Sequence, residues 1–209
     1  MDSFLSVENI SRGEYRVKGS KFLSYLYPAN TESECKEQLE ALRNQHNKAN
    51  HHCYGFHLKN KFLLRFSDDG EPSGSAGRPI MGVIEKNELL NVHLVVVRYF
   101  GGIKLGVRGL IDAYSGAAEM AVQSAKVKKQ YILKELQVEL DYSALGFIER
   151  FVQQNKLPLL DASFQAKVRQ VIGITPSKYE LVRRKLQEEI KQEFGSLDQA
   201  LYPIRIITN

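Results

Sequence analysis

The chain has 209 residues, 43% of them hydrophobic and 25% charged, with a net charge of +5. Those values are ordinary for a soluble globular protein of one large or two small domains. The longest apolar runs fall far short of the roughly 20 residues that span a bilayer. Met1-Asp2-Ser3-Phe4 carries neither the basic nor the apolar region of a signal peptide, so a cytoplasmic protein with no membrane partner is expected.

In chain order, Tyr15 and Val17, then Phe22, Tyr25 and Tyr27, alternate on either side of Gly19-Ser20, which reads as a β-hairpin. Thr31 precedes Glu34 by three residues, the signature of a helix capping box. Cys35, Leu39, Leu42 and His46 follow on one helical face ending near Lys48. Residues 51–58 and 61–66 read as two strands joined at Lys59-Asn60. Pro79 suits the first turn of a short helix with Ile80, Val83 and Ile84 inward. Val92 to Phe100 is almost continuously β-branched and aromatic, as expected of a central strand buried on both faces. A helix from about Leu110 to Ala125 is rich in small residues and can approach the sheet closely, with Gly116 as the point of contact. Lys126 to Gln130 reads as a polar link or a frayed basic helix end, and sets a boundary between domains 1–130 and 131–209.

The second half is cleaner. Leu136, Val138, Leu140 and Tyr142 alternate with polar residues, a strand with one wet face. Ser143 can cap a helix carrying Phe147, Ile148, Phe151 and Val152. Strands follow near Leu159–Phe164 and Lys167–Ile174. A capping box at Ser177 and Glu180 opens a helix that Gly195 ends, and Ile204–Ile207 closes as a strand. The order is βαββαβ, a ferredoxin-like unit, and the fold class is α+β.

Candidate chemistry gathers in the first half, which holds all five histidines and nine of the 15 glycines between Gly70 and Gly116. Asp68-Asp69-Gly70-Glu71 sets three carboxylates in four residues, either for a hard cation and acid–base work or simply for tight turns. Ser73-Gly74-Ser75-Ala76-Gly77 precedes a helix and Arg78, and reads either as a backbone nest for an anion or as a loop packed across the sheet. It lacks the Lys-Ser/Thr ending of a P-loop. Arg98, Lys104 and Arg108 flank Gly101-Gly102 at a strand end and can grip phosphate, or pair with the nearby carboxylates. Tyr99 and Phe100 offer a base-stacking face, but alternation sends them to opposite sides. His51, Cys53 and His57 share a strand face, which admits nucleophilic catalysis or metal ligation, although structural zinc wants four ligands and a buried reduced thiol is the plainer reading of Cys53. Cys35 and Cys53 form no CxxC pair that would suggest zinc or redox work.

The two glycine segments, Ser67 to Ile80 and Val95 to Gly106, resemble the signature of the YigZ/IMPACT family, as do Gly19-Ser20-Lys21-Phe22 and Ala49-Asn50-His51-His52-Cys53-Tyr54. The resemblance covers the whole chain in its two-domain bacterial form. It implies an N-terminal βα domain similar to those of ribosomal proteins and elongation factor G, then a ferredoxin-like domain. It also implies a link to translation and nucleic-acid binding, and for the eukaryotic members, regulation through protein partners. The family usually carries a small residue and a glycine where this chain has Val107-Arg108. The expected function is therefore a non-enzymatic RNA- or ribosome-associated protein. It would bind phosphates through Arg78, Arg98, Gly101, Gly102, Lys104 and Arg108, with Asp68 to Gly77 as a signature loop and no cofactor. Two alternatives stand beside it. One is an enzyme acting on a phosphorylated small molecule or nucleotide, with Mg²⁺ held by Asp68, Asp69 and Glu71. The other is a protein-interaction module in translational stress control.

Overall fold

The computed structural model describes residues 1–59, 63–195 and 203–207. They form two compact units, Phe4–Gln130 and a second that contains Met1–Ser3 and the described residues from Tyr131 onward.

The first unit contains β1 (Ser3–Val7), β2 (Ser11–Val17), β3 (Ser20–Pro28), α1 (Glu32–Gln45), β4 (His51–Leu58) and β5 (Leu63–Ser67). It continues with α2 (Gly77–Lys86), β6 (Val92–Tyr99), α3 (Gly106–Gln123) and β7 (Val127–Tyr131). Five strands make an antiparallel sheet in the order β2-β3-β6-β4-β5. The hairpin turns at Lys18 and Gly19, both at positive φ (45° and 78°), the handedness that suits a two-residue loop between twisted strands. The turn expected at Lys59-Asn60 falls partly on residue 60, outside the described residues.

β6 is the middle strand, and its side chains alternate between two cores. Leu94 and Val96 face a layer made by α2 and α3, against Ile80, Ile84, Ala113 and Ala117. Val95 and Val97 face Leu39 and Leu42 of α1. Burial on both sides explains the absence of polar residues over Leu94–Val97. Truncating Leu94, which is fully buried, to alanine would cost about 2–5 kcal/mol.

Small residues let α3 press on β2. A Cβ on Gly13 would lie 2.6 Å from Met120 Cβ and 2.7 Å from the Ala121 nitrogen, and one on Gly116 would lie 3.2 Å from the Tyr15 ring. α3 begins at Gly106, a full turn before the Leu110 expected from sequence. The glycine at its first position reads as loop but takes φ +71° and opens the helix. The link expected at Lys126 to Gln130 is, from Val127 onward, neither loop nor frayed helix: it forms β7, which pairs with β1. At α1 the capping box forms, with Thr31 Oγ1 accepting from the Glu34 N–H at 3.2 Å and Glu34 reaching back to the Asn30 N–H at 2.8 Å.

The second unit runs β8 (Lys134–Leu140), α4 (Leu145–Gln154), β9 (Leu159–Phe164), β10 (Val168–Ile174), α5 (Tyr179–Phe194) and β11 (Ile204–Ile207). Its sheet order, β11-β8-β10-β9, is antiparallel throughout and is that of the ferredoxin-like split unit. Leu136, Val138 and Leu140 bury one face of β8 against Ile148 and Phe151 of α4 and Leu186 of α5. Two expected caps do not form. α4 has Ala144 at its N-cap after a short 3₁₀ turn, and α5 has Lys178. Ser177 instead gives its hydroxyl and its N–H to the Asp2 carboxylate. No described helix is long and apolar enough to cross a membrane.

Candidate functional site

Each carboxylate of the signature loop has its own partner. Asp68 follows the end of β5 and turns its side chain into the glycine loop. One oxygen accepts from the Ala76 and Gly77 N–H groups at 2.9 and 2.8 Å, the other from the Gly74 N–H at 2.8 Å. Gly77 is required here because a Cβ would sit 2.7–2.8 Å from the Ser67 backbone. The nest read in Ser73 to Gly77 thus exists, and the anion in it is the chain's own. Burial raises the Asp68 pKa, but the three amides and Arg78 outweigh it and hold the carboxyl below its usual range.

Asp69 sits at φ +43°. Its carboxylate accepts from the His52 N–H at 2.7 Å and pairs with Arg43 at 3.3 Å. Its carbonyl oxygen lies 2.8 Å from His51 Nδ1. Glu71 turns inward instead. Its Oε1 meets Arg98 Nη1 at 2.5 Å and accepts from the Tyr114 hydroxyl at 2.8 Å. These three side chains, which the enzyme alternative would set around a Mg²⁺, point to three separate protein partners. Among the described residues, no three His, Cys, Asp or Glu side chains converge on a metal position.

Cys53 lies beneath this pair. Its Sγ is 3.0 Å from the Asp68 carbonyl and 3.4 Å from the Tyr114 hydroxyl. Burial pushes both the thiol and the phenol well above their ordinary pKa values, so both stay neutral. A neutral, wholly buried thiol is a packed side chain, not a nucleophile.

Arg98 stands at the end of β6 with its guanidinium 5.4 Å from the Phe22 ring centre and 5.5 Å from that of Phe100. Its Nε is buried without a hydrogen-bond partner. Just beyond opens a cleft of about 470 Å³ whose polar side is made by Asn50, His51, Glu71, Arg98 and Lys104. Leu105, Val107 and Leu110 also line it, as does Phe100, which is 45% exposed. The first residues of α3 also line it, and that helix has no side-chain cap on its N-terminus. Its free N–H groups and dipole add positive potential to that of Arg98 and Lys104. Asn50 clasps the strand end, its N–H donating to the Arg98 carbonyl at 2.9 Å and its Oδ1 accepting from the Phe100 N–H at 2.8 Å.

Of the residues singled out from sequence, Arg98 and Lys104 meet at the cleft with Glu71. Gly101 and Gly102 form the exposed loop between them. Gly101 crosses the hairpin turn so closely that a Cβ would fall 1.9 Å from the Gly19 carbonyl carbon. Arg78 is exposed on the first turn of α2 and does not line the cleft. Arg108 is in the first turn of α3, exposed, 3.6 Å from Asp112. Tyr99 and Phe100 part as alternation requires: Tyr99 bonds His46 Nδ1 at 2.9 Å on the α1 side, and Phe100 faces the cleft. Sequence reasoning gave Tyr114 and Asn50 no role at the site and considered His51 for catalysis or metal ligation. Asn50 and His51 carried a signal, as polar residues just before and at the start of a buried strand; Tyr114, inside a helix of small residues, carried none.

The description "Impact N-terminal domain" belongs to the family model that matches residues 18–122, which include the whole cleft. Among curated relatives, IMPACT family member YvyE of Bacillus subtilis (strain 168) is 32% identical over 169 residues, 80% of this chain and 78% of the relative. IMPACT family member YigZ of Escherichia coli (strain K12) is 31% identical over 165 residues, 78% of this chain and 81% of the relative. A solved crystal structure described as that of a hypothetical protein superposes with a TM-score of 0.69 at 26% identity, over 100% of this chain and 98% of that one. Half the chain answers to the family model and most of it to these relatives, so the chain belongs to the IMPACT family.

Proposed function

We propose that this is a cytoplasmic, translation-linked protein that associates with RNA or the ribosome, taking an RNA phosphate into the cleft beyond β6. One observation carries the reading: Arg98, Lys104 and the uncapped N-terminus of α3 converge on a single cleft that an exposed phenylalanine also lines. Cations and amide donors suit phosphate, and Phe100 suits a base, where stacking contributes about 1–3 kcal/mol. The reading also draws on the translation link that the family resemblance implies. The glycine nest has no part in it, because Asp68 fills that position.

The test is co-sedimentation with cytoplasmic ribosomes and total RNA at low and high salt, comparing wild type with Lys104→Ala and Phe100→Ala. Both side chains are exposed enough to remove without unfolding the domain. Binding that weakens with salt and drops in both variants supports the reading, since phosphate contacts release counterions. Wild-type protein left in the supernatant under every condition overturns it.

A second reading has its own observation. Phe100, Ile103 and Val107 are 45%, 55% and 55% exposed around the same loop, an apolar tip suited to a protein partner. One protein retained on the immobilised chain after nuclease treatment, and lost with Ile103→Ser, would favour it.

A further inference from the structure

The cleft offers donors almost everywhere. Lys104 and Arg98 only donate, as do the first amides of α3. The Oδ1 of Asn50 is engaged by the Phe100 N–H. Glu71 Oε1 already accepts from Arg98 and Tyr114.

Besides the Glu71 carboxylate, His51 is the exception. Its Nδ1 lies 2.8 Å from the Asp69 carbonyl oxygen, which can only accept, so Nδ1 carries the ring proton. In the neutral imidazole, Nε2 is then the nitrogen with the lone pair. It lies 3.7 Å from Glu71 Oε1, itself an acceptor that cannot satisfy it, and the ring lines the cleft with the side chain 25% exposed. The site therefore sets a fixed, uncharged acceptor beside a group of anion-binding donors.

A phosphodiester group alone satisfies the donors and leaves Nε2 facing another acceptor. A ligand that carries a hydroxyl next to its phosphate satisfies both. A ribonucleotide has that arrangement in its 2′-OH and neighbouring 3′-phosphate; a deoxyribonucleotide lacks the hydroxyl. We propose that His51 Nε2 accepts a hydrogen bond from a ribose 2′-OH, so that the cleft takes RNA in preference to DNA. This rests on the phosphate-binding reading of the same cleft.

The experiment compares three single-stranded oligonucleotides of one sequence, ribo, 2′-deoxy and 2′-O-methyl, by fluorescence anisotropy at fixed salt. The protein is used as wild type, Lys104→Ala and His51→Phe. Wild type should bind the ribo strand about tenfold more tightly than the other two, the worth of one such hydrogen bond. The 2′-O-methyl strand keeps the oxygen and removes only the donor, so the comparison holds on the intact protein even if His51→Phe folds poorly. In His51→Phe the three strands should bind alike, at the level of the deoxy strand. If wild type binds ribo and deoxy within twofold while Lys104→Ala weakens both, the role of His51 is wrong and the phosphate cleft stands. If no strand binds at any salt, the cleft reading and this inference fall together.

Discussion

Glu71 Oε1 and Arg98 Nη1 lie 2.5 Å apart with their side chains only 4% and 6% exposed. Two charges so far from water are held by each other, by the Tyr114 hydroxyl and by the rings of Phe22 and Phe100. Removing one partner leaves the other buried and unpaired. Glu71→Ala or Arg98→Ala should each cost about 3–5 kcal/mol in urea denaturation. The double variant Glu71→Leu/Arg98→Met should cost far less than the sum of its two single changes. Additive costs would show that the pair is not an energetic unit.

Asp68 gives a different kind of prediction. Asp68→Ala strips the acceptor from three backbone N–H groups and should cost about 3 kcal/mol, each unmet donor being worth about 1–3 kcal/mol when buried. Asp68→Asn keeps one oxygen and should lose less. Emptied of its own carboxylate, the nest becomes a site for added anion. Sulfate should raise the Tm of Asp68→Ala more than it raises the Tm of wild type. An equal rise in both would count against the nest.

His93 sets a pH limit. It is 1% exposed, its Nδ1 is 3.0 Å from Gln38 Oε1, and its Nε2 has no partner. Burial pushes its pKa down to about 3. The folded ring stays neutral where the unfolded one takes a proton below about pH 6.5. The unfolded chain then binds more protons, so this stability is complete above about pH 6.5 and is lost as pH falls toward 3. Burial lowers His46, His52 and His57 in the same direction. The urea midpoint should fall steadily from pH 7 to 4.5, above the range where most carboxylates titrate. His93→Phe should flatten that fall by about 1.4 kcal/mol per pH unit for the proton removed. An unchanged midpoint in wild type between pH 7 and 4.5 would contradict this.

Two neighbouring glycines should respond differently to alanine. At Gly101 the new Cβ meets Gly19 and Ser20 backbone atoms at 1.9–2.2 Å, so backbone must shift to make room. Gly101→Ala should therefore separate the hairpin turn from the strand end and lower the Tm sharply. At Gly102 nothing lies within 4 Å, and only φ +86° opposes a side chain. Gly102→Ala should cost about 1 kcal/mol. Equal losses of Tm would refute the crossing.

Local chemistry was legible in the sequence. Thr31 caps α1, the hairpin turns next to Gly19, and β6 is central because its residues suit burial on both faces. The ferredoxin-like order follows from the alternation at Leu136–Leu140 and the helical spacing of Val182, Leu186 and Ile190. What failed was what depends on distant partners. Ser177 has the right spacing for a cap, but its hydroxyl goes to Asp2, 175 positions away. Arg98 and Lys104 were legible as a cationic strand end, and pairing with a nearby carboxylate was one of its two readings; that Glu71 would also take the Tyr114 hydroxyl was not legible, because three elements must fold before those atoms meet. The glycine loop and the carboxylate before it were each visible, but the closing of one upon the other depends on a chain reversal that composition does not reveal.

The Asp69-Gly70 step has a consequence for chemical ageing. In a flexible chain, an aspartate before glycine rearranges readily through a cyclic imide, because the glycine nitrogen is free to attack the side-chain carboxyl. Here that carboxyl is drawn away by the His52 N–H and Arg43, and the backbone is fixed at φ +43° and +88°. These contacts on the carboxylate thus slow the formation of isoaspartate. The extra backbone carbon of that product would shift the Asp69 carbonyl away from His51 Nδ1. The shelf life of the protein and the orientation of its imidazole share one anchor.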